Sequence, residues 1–530
     1  MSTLKWIAGI IAMLTVSVQA APRPESFSNS NSRCRKTQVA ILGAGTAGIT
    51  AAQALSNASV TDFVIIEYND RIGGRVLNRP FGNRPDGNGK YFVELGANWV
   101  QGTNSSTEEN PIWTLAKKHQ IINTFSDFES LKVFTEKGQV DSGDVEDVNE
   151  KYKDAYRQYE QDAGYTLRQN LQDHSARAGF SIANWKPGND PLSQATEWLA
   201  MDFEYANPPE KTSHQYSVVS FNTTFYRWAE ENNFVHDPRG FSTFIKQEAS
   251  TFLLKNDTRL VLNTIVEDIT YTSQGVEIYN NDDSCIVADY AVCTFSLGVL
   301  QKEVVNFSPE LPKWKRTAIH SMTMGTYTKI FMQFRQSDIF WDHGTQFFLY
   351  ADSLQRGYFP LFQSLDHSEF EPGSGILFVT VVEQQAYRVE SQDLETTQKQ
   401  VMTVLRRMFG ENIADPIDFF YPRWSLEPWA FGSYSNWPPS LTLEMHQNLR
   451  ANLGNLWFAG EATHPQYFGF LQGAWYEGKN AGEAIAGCIA NKDSCTREKA
   501  YEVLNGTTSF DAYSKVNGWT ADSFIKDKSS

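Results

Sequence analysis

The stretch TQVAILGAGTAGITAAQAL, residues 37–55, determines the fold class. A strand-like run over residues 38–42 enters the pattern Gly43-x-Gly45-x-x-Gly48, and a helix-compatible run follows. In this pattern the first glycine allows a tight turn, the second lets the backbone approach a pyrophosphate, and the third lets helix and strand pack closely. The phosphates then meet the open amides of the helix N-terminus. The stretch therefore predicts a Rossmann-like dinucleotide site.

A second strand supports this interpretation. It runs from Phe63 to Ile66 and ends in Glu67, whose carboxylate can accept hydrogen bonds from ribose hydroxyls and would repel a 2'-phosphate. A glycine-rich pattern alone could be a purely structural turn. Strand, glycines, helix, second strand and acid occur here in order, which favours dinucleotide binding.

The composition bounds the remaining possibilities. The chain has 530 residues, 41% of them hydrophobic, and a formal net charge of -16. The length predicts at least two domains, and the acidity argues against nucleic-acid binding, which needs a basic surface. Glycine-rich turns and small-residue helices alternate with blocks rich in aromatic and charged residues. This interleaving predicts a discontinuous cofactor domain, residues 37–120, 235–325 and 440–490, with a substrate domain, residues 121–234 and 326–439, inserted twice.

The N-terminus predicts export. Residues 1–20 have the charge, apolar run and small-residue end of a signal peptide, and residues 21–36 are a Pro/Ser/Asn-rich leader. No later segment resembles a membrane helix, and residues 491–530 form a polar tail. We expect a secreted protein, extracellular or in a cell wall, with a monomer favoured. Glycosylation sequons begin at Asn57, Asn104, Asn222, Asn256, Asn306 and Asn505.

Five cysteines leave at least one thiol free in an oxidising compartment. Cys488 and Cys495 flank a predicted helix end and are the expected disulfide. Cys285 and Cys293 fall in strand-like runs, which predicts that both are buried.

The extended pattern Glu67-x(3)-Arg71-x-Gly73-Gly74-Arg75 resembles the flavin-dependent amine oxidase family. The resemblance implies an α/β, two-domain flavoprotein: a Rossmann-like FAD-binding domain of the glutathione-reductase type with an inserted substrate domain of mixed sheet and helices. It implies FAD as the cofactor and no metal. The stretch HPQYFGFLQGAWYEG, residues 464–478, lacks the cysteine that tethers flavin in monoamine oxidases, so the FAD is expected to be non-covalent.

Further segments match the family in order, and the resemblance assigns them to the cofactor. The backbone of residues 94–99 is expected to run beside the flavin ring. The strand that starts at Val266 is expected to contact adenine, and the late Gly460-Glu461 turn is expected to contact the ribityl chain. The helix after Gly473 is expected to point its N-terminus at the ring. With the residues already named, the implied cofactor residues are Gly43, Gly45, Gly48, Glu67, Arg75, Gly96, Ala97, Asn98, Trp99, Val266, Gly460 and Glu461.

The strand GTYTKIF, residues 325–331, carries the predicted catalytic residue. Taken alone, Lys329 could be an edge-strand lysine with its ammonium in water. The segment is similar to that of plant-type polyamine oxidases, including secreted plant and fungal ones, in which this lysine holds a water against flavin N5. The resemblance gives Lys329 that role and places Tyr327 beside it, on the same strand face.

The resemblance also implies an amine channel. Trp99, Trp424 and Tyr434 are its expected aromatic walls, although tryptophans and tyrosines in strands are often core. Glu204 in DFEYANPP, residues 202–209, matches the channel glutamate, and its alternative is a solvated helix-end acid. Two positions depart from the pattern: Gln101 replaces a glutamate and Phe470 replaces a tyrosine. Loss of a carboxylate favours a less charged substrate, such as an N-acetylated polyamine.

The activity implied is oxidation of secondary amines of polyamines, by hydride transfer to flavin N5. Hydrolysis of the imine gives an aminoaldehyde and a smaller amine, and oxygen is reduced to hydrogen peroxide. Two alternatives stay open. One is a secreted amino-acid or monoamine oxidase, for which Arg423 is the candidate carboxylate-binding residue, and the other is a non-catalytic flavin-binding scaffold.

Overall fold

The computed structural model describes residues 34–87, 89–104, 108–226, 228, 231–492, 495 and 497–504. The predicted signal peptide, the leader up to residue 33 and the sequon at Asn505 lie outside these ranges. No helix within them combines the length and apolar character that a bilayer crossing requires.

The strands are short and numerous. In chain order they are β1 Arg35–Leu42, β2 Phe63–Ile66, β3 Asn78–Phe81, β4 Tyr91–Glu94, β5 Trp99–Gln101, β6 Asn123–Phe125, β7 Leu131–Thr135, β8 Gly138–Gln139, β9 Asn232–Val235, β10 Leu260–Val261, β11 Val266–Tyr271, β12 Val276–Asn280, β13 Cys285–Cys293, β14 Asn306–Ser308, β15 Thr323–Gly325, β16 Tyr327–Gln333, β17 Phe347–Tyr350, β18 Leu361–Ser364, β19 Ile376–Val382, β20 Asp418–Phe420, β21 Tyr434–Asn436 and β22 Leu456–Phe458.

The α-helices are α1 Thr46–Asn57, α2 Pro111–Lys118, α3 Ser142–Arg168, α4 Ala176–Ile182, α5 Pro191–Glu197, α6 Phe203–Tyr205, α7 His214–Phe221, α8 Thr243–Ala249, α9 Leu297–Gln301, α10 Lys313–Ser321, α11 Glu383–Glu390, α12 Leu394–Phe409, α13 Leu443–Arg450 and α14 Leu471–Ala490. Two π-helical segments, Trp198–Asp202 and Asn222–Tyr226, interrupt the helical region of the middle of the chain.

The larger sheet has the strand order β10-β2-β1-β13-β12-β11-β14, with β22 also paired to β13. The strands β10, β2, β1, β13 and β22 run parallel, so their carboxyl ends meet at one edge. Strands β2 and β22 are buried throughout, as are the last four residues of β1 and of β13, as expected where a sheet is covered on both faces. This edge is where a doubly wound sheet binds its ligand.

The second sheet has the order β20-β16-β19-β18-β17-β7-β8 and is mostly antiparallel. Its central strands β16 and β19 are buried throughout. The strands of the larger sheet come from residues 35–66, 260–308 and 456–458, and those of the second sheet from residues 131–139 and 327–420. The mixed α/β architecture predicted from the sequence is confirmed, whereas the domain boundaries stay a prediction.

Helices α1 and α14 pack against each other through small residues. A Cβ at Gly478 would lie 2.1 Å from the Ala47 carbonyl oxygen, and one at Gly482 would lie 2.5 Å from that of Ala51. The two helices can approach this closely only because these positions have no side chain. Both helices begin at the carboxyl edge of the larger sheet, so the free amides of their first turns lie at that edge.

The disulfides agree with the sequence analysis in one case and correct it in the other. Cys488 pairs with Cys495, as predicted, and Cys293 is a buried free thiol. Cys285 was expected to be a buried strand residue but pairs with Cys34. The parallel register of β1 and β13, in which Arg35 lies opposite Ile286, brings these two cysteines side by side. Strand β1 also begins at Arg35, two residues inside the predicted leader.

Candidate active site

A cavity of about 460 Å³ opens at the carboxyl edge of the larger sheet and extends to the second sheet. Its walls include all but two of the predicted site residues; Gly48 and Lys329 lie behind the wall. The cavity thus brings together segments from the beginning, middle and end of the chain.

The glycine turn after β1 forms one end of this cavity. Gly43 has φ +114°, and a Cβ at Gly48 would lie 1.9 Å from the Gly43 carbonyl oxygen. Helix α1 then begins at Thr46 without a side-chain cap, so its first amides remain open. The Thr46 hydroxyl is buried at the cavity wall without a hydrogen-bond partner. These are the properties of a phosphate-binding helix N-terminus.

Glu67 lies at the adjacent strand end. Its Oε2 accepts from the Ala44 amide at 2.7 Å, and its Oε1 accepts from the Asn69 amide and side chain. These bonds fix the carboxylate at the rim of the glycine turn, 5% exposed and lining the cavity. Thr264, Ile265 and Val266 line the same region.

Arg75 and Glu461 are joined by a salt bridge of 3.0 Å within the cavity wall. Arg75 also donates to the Ser433 carbonyl, and Glu461 accepts from Ser435 and from the Gly469 amide. The pair connects segments 386 residues apart in sequence. It holds the late Gly-Glu turn against the Gly-Gly-Arg segment.

These residues fit FAD. The open helix end and the orphaned Thr46 hydroxyl suit the pyrophosphate, Glu67 suits a ribose, and the backbone from Gly96 to Trp99 offers a surface for the ring. Gly96 must be glycine there, since a Cβ would lie 1.7 Å from the Arg75 carbonyl oxygen. No cysteine lines the cavity in the described ranges, and non-covalent binding of FAD stays a prediction.

Lys329 lies one layer behind this surface. It is 1% exposed on the buried strand β16, so the edge-strand alternative is wrong. Its Nζ donates to the Gly96 carbonyl at 2.9 Å and to Asn98 Oδ1 at 2.8 Å, and lies 5.6 Å from the centre of the Trp99 ring. The ammonium therefore holds the segment expected to face the ring from its buried side.

A buried carboxyl accompanies this lysine. Glu94 Oε1 accepts from the Phe241 amide, and Oε2 has no hydrogen-bond partner. Burial lowers the pKa of Lys329 and raises that of Glu94, and the attraction between the two opposes both shifts. The sequence placed Glu94 at the start of the segment expected beside the flavin ring, but it gave no indication that this carboxyl neighbours Lys329.

Aromatic rings wall the far part of the cavity. Trp99, Tyr327, Trp424, Tyr434 and Phe470 all line it, as expected. Phe203 and Phe128, which the sequence analysis missed, complete the wall; Phe203 packs at 6.1 Å from Trp99 and 5.7 Å from Tyr327. Phe203 directly precedes Glu204, and this adjacency could have indicated it.

Glu204 is the carboxylate of this part of the cavity. The Tyr434 hydroxyl donates to the Glu204 carbonyl at 3.0 Å, which positions its backbone. Glu204 Oε1 is enclosed and has no hydrogen-bond partner, and burial raises the pKa of the carboxyl to about 7. Of the carboxylates that line the cavity in the described ranges, Glu67 and Glu461 already accept hydrogen bonds from the protein, and Glu204 is the one with a buried, unpartnered oxygen.

The polar side chains of Gln101, Ser220 and Asn232 also line the cavity. The last two were missed, since they carry no motif and lie far from Gln101 in sequence. Arg423 does not line the cavity; it donates to the Gln392 carbonyl and lies 5.8 Å from the Tyr421 ring centre. The candidate carboxylate-binding residue of an amino-acid oxidase is thus outside the site.

Comparison with known proteins places the chain in a family. Residues 46–486 match the family model described as flavin containing amine oxidoreductase. Polyamine oxidase 6 of Oryza sativa subsp. japonica is 35% identical over 86% of this chain and 92% of its own length. Polyamine oxidase 1 of Zea mays is also 35% identical, over 86% of this chain and 91% of its own.

Solved structures agree on the fold. Cyclohexylamine oxidase from Brevibacterium oxydans IH-35A superposes with a TM-score of 0.66 at 17% identity, covering 86% of this chain and 100% of that chain. Putrescine oxidase bound to putrescine has a TM-score of 0.66 at 15% identity, over 86% and 99% of the two chains. At these identities the likeness shows the two-domain fold.

Proposed function

The chain belongs to the flavin-containing amine oxidoreductase family and is an FAD-dependent amine oxidase, and from this premise we propose that it oxidises the secondary amines of polyamines. The residues at the glycine turn, Glu67 and the Gly96–Trp99 segment would hold the FAD, whose chemistry would be to take up a hydride from the carbon beside the amine nitrogen; oxygen would then receive the two electrons and, with two protons, become hydrogen peroxide. Water then cleaves the imine to an aminoaldehyde and a smaller amine.

The observation that carries this proposal is the available carboxylate of Glu204 within an aromatic slot. A carboxylate at a distance from the reacting carbon can bind one ammonium of a polyamine, and the aromatic faces can steady further positive charge. Two polyamine oxidases that are 35% identical over most of the chain support the same substrate class.

The residues of the chain position the amine and exclude water. Phe203, Trp99, Tyr327 and Tyr434 bound a slot that favours a neutral amine at the reacting carbon. Lys329 holds the Gly96 carbonyl and the Asn98 side chain in place behind the cofactor surface. Burial also eases the loss of the Lys329 proton, which suits the water-holding role that the family resemblance gives this lysine.

Secretion belongs to this proposal. It is supported by the signal-like residues 1–20 and by two disulfides, Cys34–Cys285 and Cys488–Cys495, which are typical of oxidising compartments. Expression of the full chain with a C-terminal tag, followed by N-terminal sequencing of the medium fraction, tests this part. Retention of an uncleaved chain inside cells would contradict it.

The alternatives are less well supported. An amino-acid oxidase needs a cation for the substrate carboxylate, but Arg75 is the only basic residue lining the cavity in the described ranges, and it is paired with Glu461. A monoamine oxidase would not need the Glu204 carboxylate.

A peroxide assay tests the function. Purified, FAD-loaded protein is given spermine, N-acetylspermine, tyramine and leucine in turn. We expect peroxide and a matching aldehyde from at least one polyamine and much less from tyramine or leucine. Peroxide from leucine or tyramine alone would favour the other oxidases, and none from any amine would favour a scaffold.

A further inference from the structure

Part of the polar tail, residues 497–501, lies against helix α13. Asn448 of this helix is fully buried and makes two hydrogen bonds with Tyr501, from its side chain to the Tyr501 carbonyl at 2.9 Å and from the Tyr501 amide to its Oδ1 at 2.7 Å. The Glu498 amide donates to Asn452 Oδ1 at 2.9 Å. Because the backbone of this tail segment makes these bonds, its path along the helix is fixed.

Arg450, the last residue of α13, joins the tail segment to helix α14. Its Nη2 lies 3.5 Å from Glu498 Oε1, and its Nε donates to Glu477 Oε2 at 3.1 Å. The Arg450 side chain is 13% exposed and that of Glu477 is 4% exposed. Removing one partner from a pair buried this well leaves an uncompensated charge, which is strongly unfavourable. The guanidinium therefore holds three elements together.

Glu477 also contacts the turn of residues 460–463, whose Glu461 lines the cavity. The Glu477 oxygen that accepts from Arg450 accepts from the Thr463 hydroxyl as well, at 2.9 Å. This is the Gly-Glu turn that is held against the Gly-Gly-Arg segment on its other side. A single buried carboxylate oxygen thus connects the end of α13 to a turn of the cofactor site.

Helix α13 contacts the same turn directly. His446 Nε2 forms a buried hydrogen bond of 2.9 Å with the Ala462 carbonyl oxygen. The C-terminal end of the helix is fixed by Lys315, whose Nζ donates to the carbonyls of Leu449 at 2.5 Å and Ala451 at 3.0 Å. A cation there complements the helix dipole. The helix is therefore a rigid support between the tail segment and the turn.

We propose that the tail segment and Arg450 position the 460–463 turn for FAD, so that groups outside the cavity wall determine how firmly the cofactor is held. Arg450 is a positioning residue in this scheme, because it acts through Glu477 and Thr463 and does not line the described cavity. The proposal concerns the cofactor and is independent of which amine the enzyme oxidises.

The test measures how fast the FAD-loaded protein releases its cofactor. The protein is diluted to nanomolar concentration, and release is followed by the fluorescence of free flavin. Asn448→Ala removes both bonds to Tyr501, and Glu498→Gln removes the charge beside Arg450. Each variant should release FAD about fivefold faster than wild type, the equivalent of about one hydrogen bond, because losses of affinity appear mainly in the dissociation rate.

Matched controls carry the same substitutions at exposed positions. Asn412→Ala and Glu502→Gln should release FAD at the wild-type rate. The role of Arg450 is tested by a graded pair of variants. Arg450→Lys keeps the charge but lacks the guanidinium fork that reaches Glu477 and Glu498 together, so its release rate should lie between those of wild type and Arg450→Met.

A second readout separates positioning from general stability. The visible circular dichroism of the bound flavin depends on the geometry around it, and it should change in Glu498→Gln but not in Glu502→Gln. Far-UV circular dichroism at the same temperature shows which variants are folded. A wild-type rate of FAD release in folded Glu498→Gln or Asn448→Ala would overturn the proposal, even if the melting temperature falls. These two variants decide the matter where Arg450→Met does not fold.

Discussion

Replacing Lys329 by methionine should separate its structural contribution from its chemical one. The substitution keeps an unbranched chain of similar length but removes both hydrogen bonds of Nζ, to the Gly96 carbonyl and to Asn98. It also leaves the buried carboxyl of Glu94 without its neighbouring cation. Two buried acceptors without partners cost about 1–3 kcal/mol each, and the loss of a buried charge offsets part of this. We expect the variant to be destabilised by about 3 kcal/mol and still to bind FAD.

The chemical effect is measured by anaerobic stopped-flow reduction of the flavin with a polyamine. We expect the limiting rate to fall at least tenfold, since a group that exchanges a proton in the reaction typically contributes about a hundredfold or more. The double variant Glu94→Gln/Lys329→Met removes the uncompensated carboxylate, so it should recover thermal stability relative to the single variant but not the rate. A wild-type reduction rate in Lys329→Met would refute the argument and leave the lysine a purely structural residue.

Three further predictions concern other parts of the site. The pKa of Glu204 is raised to about 7, so its carboxylate is present above that pH and is protonated below it. The value of kcat/KM for spermine should therefore fall as the pH decreases through about 7. The pH profile of Glu204→Gln should lack this acidic fall. Gly48→Ala should be purified without flavin colour, because its Cβ would lie 1.9 Å from the Gly43 carbonyl oxygen, whereas Gly487→Ala, with open space around it, should retain full FAD absorbance. Arg356→Met should lower the free energy of unfolding by about 3 kcal/mol, because it leaves the buried carboxylate of Asp202 unpaired, while Glu197 keeps its ion pair with Arg177; a denaturation midpoint equal to that of wild type would contradict this.

The position of Arg356, which is partly buried, explains why its loss should also affect the substrate. Arg356 binds Asp202 through both Nη atoms at 2.6 Å and Glu197 at 3.0 Å. Glu197 directly precedes the π-helical segment Trp198–Asp202 and Asp202 ends it, and Glu204 follows two residues later. A looser segment would move the Glu204 carboxylate, so KM for a polyamine should rise more than kcat falls.

Most of the cofactor end of the site could be predicted from the sequence. The glycine turn, Glu67 and the Gly-Gly-Arg segment are local features, because each depends on backbone conformation or on a strand end a few residues away. The same is true of the Cys488–Cys495 disulfide, which closes a short loop. Cys34–Cys285 could not be predicted in this way, because only the register of β1 and β13 brings the two residues together across 251 positions.

The substrate-binding end of the site could not be predicted from local sequence patterns, because it is formed by contacts between segments that are distant in sequence. Ser220 and Asn232 carry no motif, and their importance comes from the facing strand and helix that leave their polar atoms at a cavity wall. The sequence identified Lys329 as a site residue. It did not indicate that Lys329 is buried and bonded to the Gly96–Asn98 segment, because Gly96 lies 233 residues away in the chain.

The amino-acid sequence alone determined the dinucleotide-binding turn, because glycine is required where two backbone segments come into contact. Its motifs also identified the family and the type of cofactor. Tertiary structure alone decided which carboxylates are engaged and which remain open to a ligand. The physical reason is that burial and hydrogen-bond satisfaction are properties of surroundings assembled from distant segments. Glu461 and Glu204 are both glutamates in recognisable segments, yet one is held by Arg75 and the other is left with an unpaired oxygen in an aromatic slot.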